Sequence, residues 1–126
     1  MSITHIAIYT TDIERAKEFY TKYFGGVSNS KYTNTKGFSS YFITFPSGAR
    51  LELMSHTELE TRPVLDKVNG ISHIAFSVGS KEEVVRITEQ ICEDGYHLYS
   101  APRSTGDGYF ESVVADNDGN RIEITI

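Results

Sequence analysis

The sequence predicts an α+β chain built from two copies of one βαβββ module. Three observations predict it. A His-Ile-Ala triplet starts at His5 and again at His73, an offset of 68 residues (73 − 5). An apolar-Glu-apolar triplet is centred on Glu52 and again on Glu123, an offset of 71 residues (123 − 52). A helix-opening signal follows each histidine, and a glycine turn precedes each glutamate. A period this long is no solenoid repeat; it reads as duplication of one supersecondary unit.

The elements follow in order. Ile3 to Tyr9 alternates like a strand. Thr11-Asp12-Ile13-Glu14 is a capping box that opens a helix. Ile13, Ala16, Phe19, Tyr20, Tyr23 and Phe24 recur at helical spacing, and Gly25-Gly26 ends the run. Strands are expected over residues 28–32, 38–45 and 49–55, with Pro46-Ser47-Gly48 turning the last pair. A linker over about residues 57–70 contains Pro63 and a short helical turn. The second half repeats the plan with a strand over 71–78 and a capping box at Ser80-Lys81-Glu82-Glu83. Val84, Ile87, Ile91 and Cys92 form its buried helix face, and Gly95 stops it. Strands over 97–101, 109–115 and 120–126 complete it, the last two joined by Asp116-Asn117-Asp118-Gly119. The chain is thus one domain, 1–126, of two modules, about 1–56 and 71–126. A helix on an incompletely covered sheet closes no core alone, so the modules are expected to pair.

Composition narrows the function. A formal charge of −5 argues against a nucleic-acid binder, which usually carries a basic face. The single cysteine, Cys92, excludes an intrachain disulfide and reads as a buried structural thiol. No apolar run reaches membrane-spanning length and no signal peptide is evident, so a cytoplasmic location is expected.

The repeated residues carry the chemistry. Side chains alternate faces along a strand, so Ile6 and Ile8 suit a helix-covered face and put His5 on the other. The same parity holds for His73. Glu52 lies between Leu51 and Leu53, and Glu123 between Ile122 and Ile124. A carboxylate among apolar neighbours is costly to bury unless a cation meets it. A lone strand histidine is more often structural, and a lone strand glutamate is more often solvated. Their recurrence at equivalent positions instead predicts that His5, Glu52, His73 and Glu123 ligate one divalent metal. Two imidazoles and two carboxylates suit Ni, Zn or Co, with Mn and Fe(II) also acceptable. Open coordination positions would make such an ion a Lewis acid.

Other candidates are weaker. Arg50 and Arg121 each precede a ligand glutamate by two residues and share its parity. They either meet an anionic substrate or are surface arginines beside a turn. His56 and His97 fall outside the repeat and read as surface or rim residues. Tyr32, Phe38, Tyr41, Phe42 and Phe45 are divided between pocket wall and core, and the facing of Glu111 is open. Asp116-x-Asp118-Gly119 is no calcium loop, because the glycine comes too early and the chain lacks the closing glutamate.

On these residues the chain resembles the vicinal oxygen chelate superfamily, the glyoxalase, bleomycin-resistance and dioxygenase group. The resemblance rests on His5-Ile-Ala, Glu18-Phe19-Tyr20 running to Gly25, Gly48-x-x-Leu51-Glu52-Leu53, His73-Ile-Ala-Phe, and Asp116-x-Asp-Gly-Asn-Arg-Ile-Glu123. It implies paired βαβββ modules forming an open, cup-shaped barrel around the metal. The His/Glu/His/Glu order looks like that of glyoxalase I, lactoylglutathione lyase. That implies a metal-dependent lyase or isomerase acting on an α-oxoaldehyde–thiol adduct through an enediolate, with Glu123 as the base and Glu52 as its pseudo-symmetric partner. Lys22 matches a position that holds a basic residue for glutathione, and relatives imply a homodimer. Two departures bear on the thiol: His56 stands where glyoxalase I usually has asparagine, and only three residues follow Glu123. The alternatives are a small-molecule or antibiotic-binding module and an Fe(II) dioxygenase, since one scaffold hosts several chemistries.

Overall fold

A computed structural model describes residues 1–63 and 67–126, which group into two units, Met1–Arg62 and Pro63–Ile126. The helical turn expected in the linker falls partly on residues 64–66, outside the described residues.

The first unit runs β1 (Ile6–Tyr9), α1 (Ile13–Phe24), β2 (Val27–Ser28), β3 (Tyr32–Thr33), β4 (Phe38–Thr44) and β5 (Arg50–His56). Its sheet has the order β1-β5-β4-β2, with β3 also on β4. β1 joins β5 in parallel, and α1 makes the crossover between the first strand and the rest. Ile13, Ala16, Phe19, Tyr20 and Tyr23 make the buried stripe of α1. They meet Tyr41 and Ile43 of β4 and Leu51 and Leu53 of β5, all buried. Each such large apolar side chain contributes roughly 1.5–3 kcal/mol by leaving water. Ile6 and Ile8 pair with Leu51 and Leu53 on that same face, although edge-strand Ile6 stays exposed.

Three expectations change here. The α1 N-cap is Asp12, not Thr11: its carboxylate accepts the Arg15 N–H at 3.0 Å. Glu14 is drawn away from a capping role by Lys31, Lys17 and Tyr41. The strand expected over 28–32 splits into β2 and β3, because Asn29 interrupts the ladder. Its side-chain Oδ1 accepts the Phe42 N–H, and its own N–H donates to the Phe42 carbonyl. Tyr41 and Phe45 are core residues, whereas Tyr32 is exposed and Phe38 and Phe42 are half-buried.

The second unit runs β6 (His73–Ser77), α2 (Lys81–Glu93), β7 (Leu98–Ser104), β8 (Phe110–Ala115) and β9 (Arg121–Thr125), in sheet order β6-β9-β8-β7. Again the first strand pairs in parallel with the last. Ser80 caps α2 as expected, its hydroxyl accepting the Glu83 N–H at 3.2 Å. Val84, Ile87, Thr88 and Ile91 are the buried face, packed on Val114, Ile122 and Ile124. Cys92 was expected in that face but is only half-buried, and burial raises its thiol pKa. Thr88 takes the place instead. Its hydroxyl donates to the Val84 carbonyl and bonds the buried Ser112 hydroxyl at 2.6 Å. β7 is longer than expected and bulged, with Pro102 tolerated because β7 is an edge. The turn before β9 is closed by Asp116, whose Oδ1 accepts the Asp118 and Asn120 N–H groups, both at 2.9 Å.

Candidate metal centre

In each unit the first and last strands lie side by side, so residues of equal parity share the face away from the helix. His5 directly precedes β1, and Ala7 lies opposite Glu52. In the second unit Ala75 lies opposite Glu123. An alanine opposite each glutamate leaves lateral room, and the histidine two residues earlier leans into it. His5 Nε2 stands 3.5 Å from Glu52 Oε2, and His73 Nε2 stands 3.4 Å from Glu123 Oε2. The carboxylates are the more buried members, at 17% and 18% exposure against 34% and 42% for the imidazoles. The duplication is thus a duplication of geometry. Among the described residues no single group of three or more His, Cys, Asp or Glu side chains is gathered around one point. Each unit by itself carries a pair.

The neighbours orient these pairs. Thr4 Oγ1 bonds His5 Nδ1 at 2.9 Å, which leaves Nε2 toward Glu52. The Phe42 ring, opposite Glu52 on β4, meets the His5 ring edge-on at 5.2 Å. Arg50 lies over Phe42 at 5.1 Å, and its Nε donates to the Thr4 carbonyl at 3.4 Å. In the second unit Arg121 is the ladder partner of His73 and lies over the Tyr99 ring at 4.1 Å. The Tyr99 hydroxyl donates to the Gly119 carbonyl at 3.0 Å, and the His97 ring meets Tyr99 edge-on.

The remaining candidates can now be placed. Glu111 shares the parity of Glu123 and is paired with Arg103 Nη2 at 3.6 Å. His56 ends β5 on the parity of Glu52, its Nδ1 accepting the Glu58 N–H. Lys22 lies in the last turn of α1 with its Nζ over the Tyr23 ring, on the helix side of its sheet. Sequence reasoning missed Tyr99, because the bulges of β7 hide its facing. Thr4, the hydroxyl residue before His5, was an available signal for the orienting partner of that ring.

Two βαβββ units, each with a His–Glu pair on its helix-free sheet face, define a glyoxalase-like fold. The chain belongs to the Glyoxalase/Bleomycin resistance protein/Dioxygenase superfamily, whose family model matches residues 2–124. The Bacillus subtilis uncharacterized protein YwkD is 31% identical over 86 residues, covering 68% of this chain and 67% of that protein. A glyoxylase/bleomycin resistance protein/dioxygenase domain from Frankia superimposes with a TM-score of 0.84 at 17% identity, covering 100% of this chain and 97% of that one. Glyoxalase I from Zea mays gives a TM-score of 0.80 at 20% identity, covering 98% of this chain and 43% of the maize chain. Among the described residues no helix is long and apolar enough to cross a membrane.

Proposed function

We propose that this protein is a metal-dependent lyase or isomerase of the lactoylglutathione lyase type, acting on an α-oxoaldehyde–thiol adduct. The observation that carries the reading is the repeated His–Glu pair at 3.5 and 3.4 Å. Two donors each about 2.1 Å from one ion stand about 3.0 Å apart in octahedral and about 3.4 Å apart in tetrahedral geometry. The spacing therefore suits donors that share an ion. His5, Glu52, His73 and Glu123 would hold it, and the donor set suits Ni, Zn or Co, with Mn or Fe also compatible. Bound there, a divalent metal supplies Lewis-acid polarisation of two neighbouring substrate oxygens.

The protein's own groups do the rest. His5 and His73 anchor, and Thr4 fixes the His5 ring. Glu123 takes the C–H proton and returns it to the adjacent carbon, so the reaction passes through an enediolate. Glu52 is its counterpart on the other pair. Arg50 and Arg121 lie on the ligands' own sheet faces, whereas Lys22 is on the helix side. A thiol such as glutathione is the cosubstrate, and the working form is a cytoplasmic homodimer. The fold shared with maize glyoxalase I is consistent with this chemistry.

The test is turnover of methylglyoxal with glutathione and with other thiols, by wild type and Glu123→Gln. The reading expects wild-type turnover that Glu123→Gln abolishes while most metal stays bound. Equal turnover in both would remove Glu123 from the base role. No turnover together with tight binding of a cationic drug would favour a sequestering module, and oxygen-sensitive iron would favour a dioxygenase.

A further inference from the structure

The two units keep the His–Glu pair but differ in the row of side chains next to it. In the first unit the row two residues beyond Glu52 is Tyr9, Met54, Ser40 and Tyr32, each the ladder partner of the next. In the second unit the row two residues beyond Glu123 is Ser77, Thr125, Glu111 and Arg103. These rows are repeat equivalents. Ser77 follows Tyr9 by 68 residues (77 − 9), and the other three follow theirs by 71 (125 − 54, 111 − 40, 103 − 32). An aromatic and apolar row in one unit is therefore a polar, charged row in the other. Glu111 replaces a small hydroxyl, the buried Ser40.

Glu111 is the carboxylate on this face for which the enediolate chemistry has no use. It is as buried as Glu123, at 18% exposure each. Burial of a carboxylate is costly unless donors meet it. Among the described residues nothing donates a hydrogen bond to Glu111. Arg103 Nη2 stands 3.6 Å away, whereas a structural Arg–Glu strut closes to about 2.7–2.9 Å. The Arg103 side chain is exposed, and its Nε donates to Ser100 Oγ at 3.4 Å instead. Thr125, the ladder partner of Glu111, spends its hydroxyl hydrogen on the Phe110 carbonyl at 3.4 Å, so its oxygen is left to accept. Two neighbouring acceptors, one of them anionic, call for a cationic donor, and an ammonium offers three N–H groups. Glu111 is diagonal to Glu123 across β8 and β9, a separation of about 7–8 Å between backbones. We infer that Glu111, with Thr125 beside it, receives a protonated amine of the substrate, a few bonds from the two chelating oxygens. This rests on the lyase reading above and deepens it by naming an amine-bearing substrate class.

The test has two arms. The first uses full-length, metal-free protein and follows the backbone N–H resonances of Glu111 and Thr125 by NMR. The probes are n-butylamine, protonated at neutral pH, and 1-butanol. Shifts with the amine that the alcohol does not produce, and that Glu111→Gln and Thr125→Val each diminish, support the proposal. No shift, or equal shifts with both probes, overturns it. The second arm measures binding of 4-aminobutyrohydroxamate and of its uncharged analogue pentanohydroxamate to the zinc-loaded protein by calorimetry. The amine should bind about tenfold tighter, the scale of one charged hydrogen-bonding contact. Glu111→Gln should erase that preference, and Arg103→Gln should increase it by removing a competing cation. A structural strut would instead make the two variants alike, and that result, or equal binding of the two hydroxamates by the wild type, overturns the proposal. Failure of both hydroxamates to bind defeats the metal reading alone, and the NMR arm then decides the amine claim.

Discussion

The Thr88–Ser112 pair offers a sharp test of how the second unit is held together. Both side chains are buried, at 2% and 0% exposure, and their hydroxyls stand 2.6 Å apart between α2 and β8. Thr88→Val keeps the shape and removes the Ser112 partner. A buried hydroxyl left without a bond costs about 1–3 kcal/mol. Ser112→Ala is milder, because Thr88 retains its bond to the Val84 carbonyl, so it should cost about 0.5–1.5 kcal/mol. The double variant strands neither group and should cost less than the sum by about 1 kcal/mol. Urea unfolding followed by circular dichroism, at one fixed protein concentration, measures all four corners of the cycle. Additivity within about 0.3 kcal/mol would refute the argument, since it would mean that neither hydroxyl depends on the other.

Further predictions test other parts. The Glu14 carboxyl is lowered to about 2, first by its Lys31 hydrogen bond and then by Lys17 and Tyr41, against an opposing desolvation effect. A lowered carboxyl stabilises above its unfolded value and loses that contribution as pH falls through its folded value. The stability difference between wild type and Glu14→Gln should therefore shrink from about pH 4.5 to about 2, and shrink again in high salt because the pair is exposed. A pH-independent difference in acid titrations would contradict it. Leu53→Ala, at a fully buried position under α1, should cost about 2–5 kcal/mol in urea unfolding. Cys92 should react slowly with a thiol reagent in the folded protein and fast in denaturant, because burial raises its thiol pKa. Fast reaction in the native state would contradict that.

Residues with strong local periodicity were legible in the sequence. The stripe of α1, the Ser80 cap and the Asp116 turn each follow from a few neighbouring residues. Strand parity placed His5, Glu52, His73 and Glu123 on the helix-free faces, because one buried face fixes all alternating positions. What stayed hidden depended on partners distant in sequence. Asp12 displaced Thr11 as cap because Glu14 answers to Lys31 and Tyr41. Asn29 broke a strand by bonding to Phe42. The bulges of β7 concealed Tyr99, and the facing of Glu111 needed the β8–β9 register. Lys22 was singled out by a resemblance in sequence, while its side depends on which face of α1 packs.

Metal content tests the central claim most directly. Protein purified without a metal-affinity tag should carry one divalent ion per chain by elemental analysis. His5→Ala and His73→Ala should each abolish it, although the two histidines belong to different repeats. No stoichiometric metal in the wild type, or retention of full metal by either variant, would contradict the claim that both His–Glu pairs serve one ion.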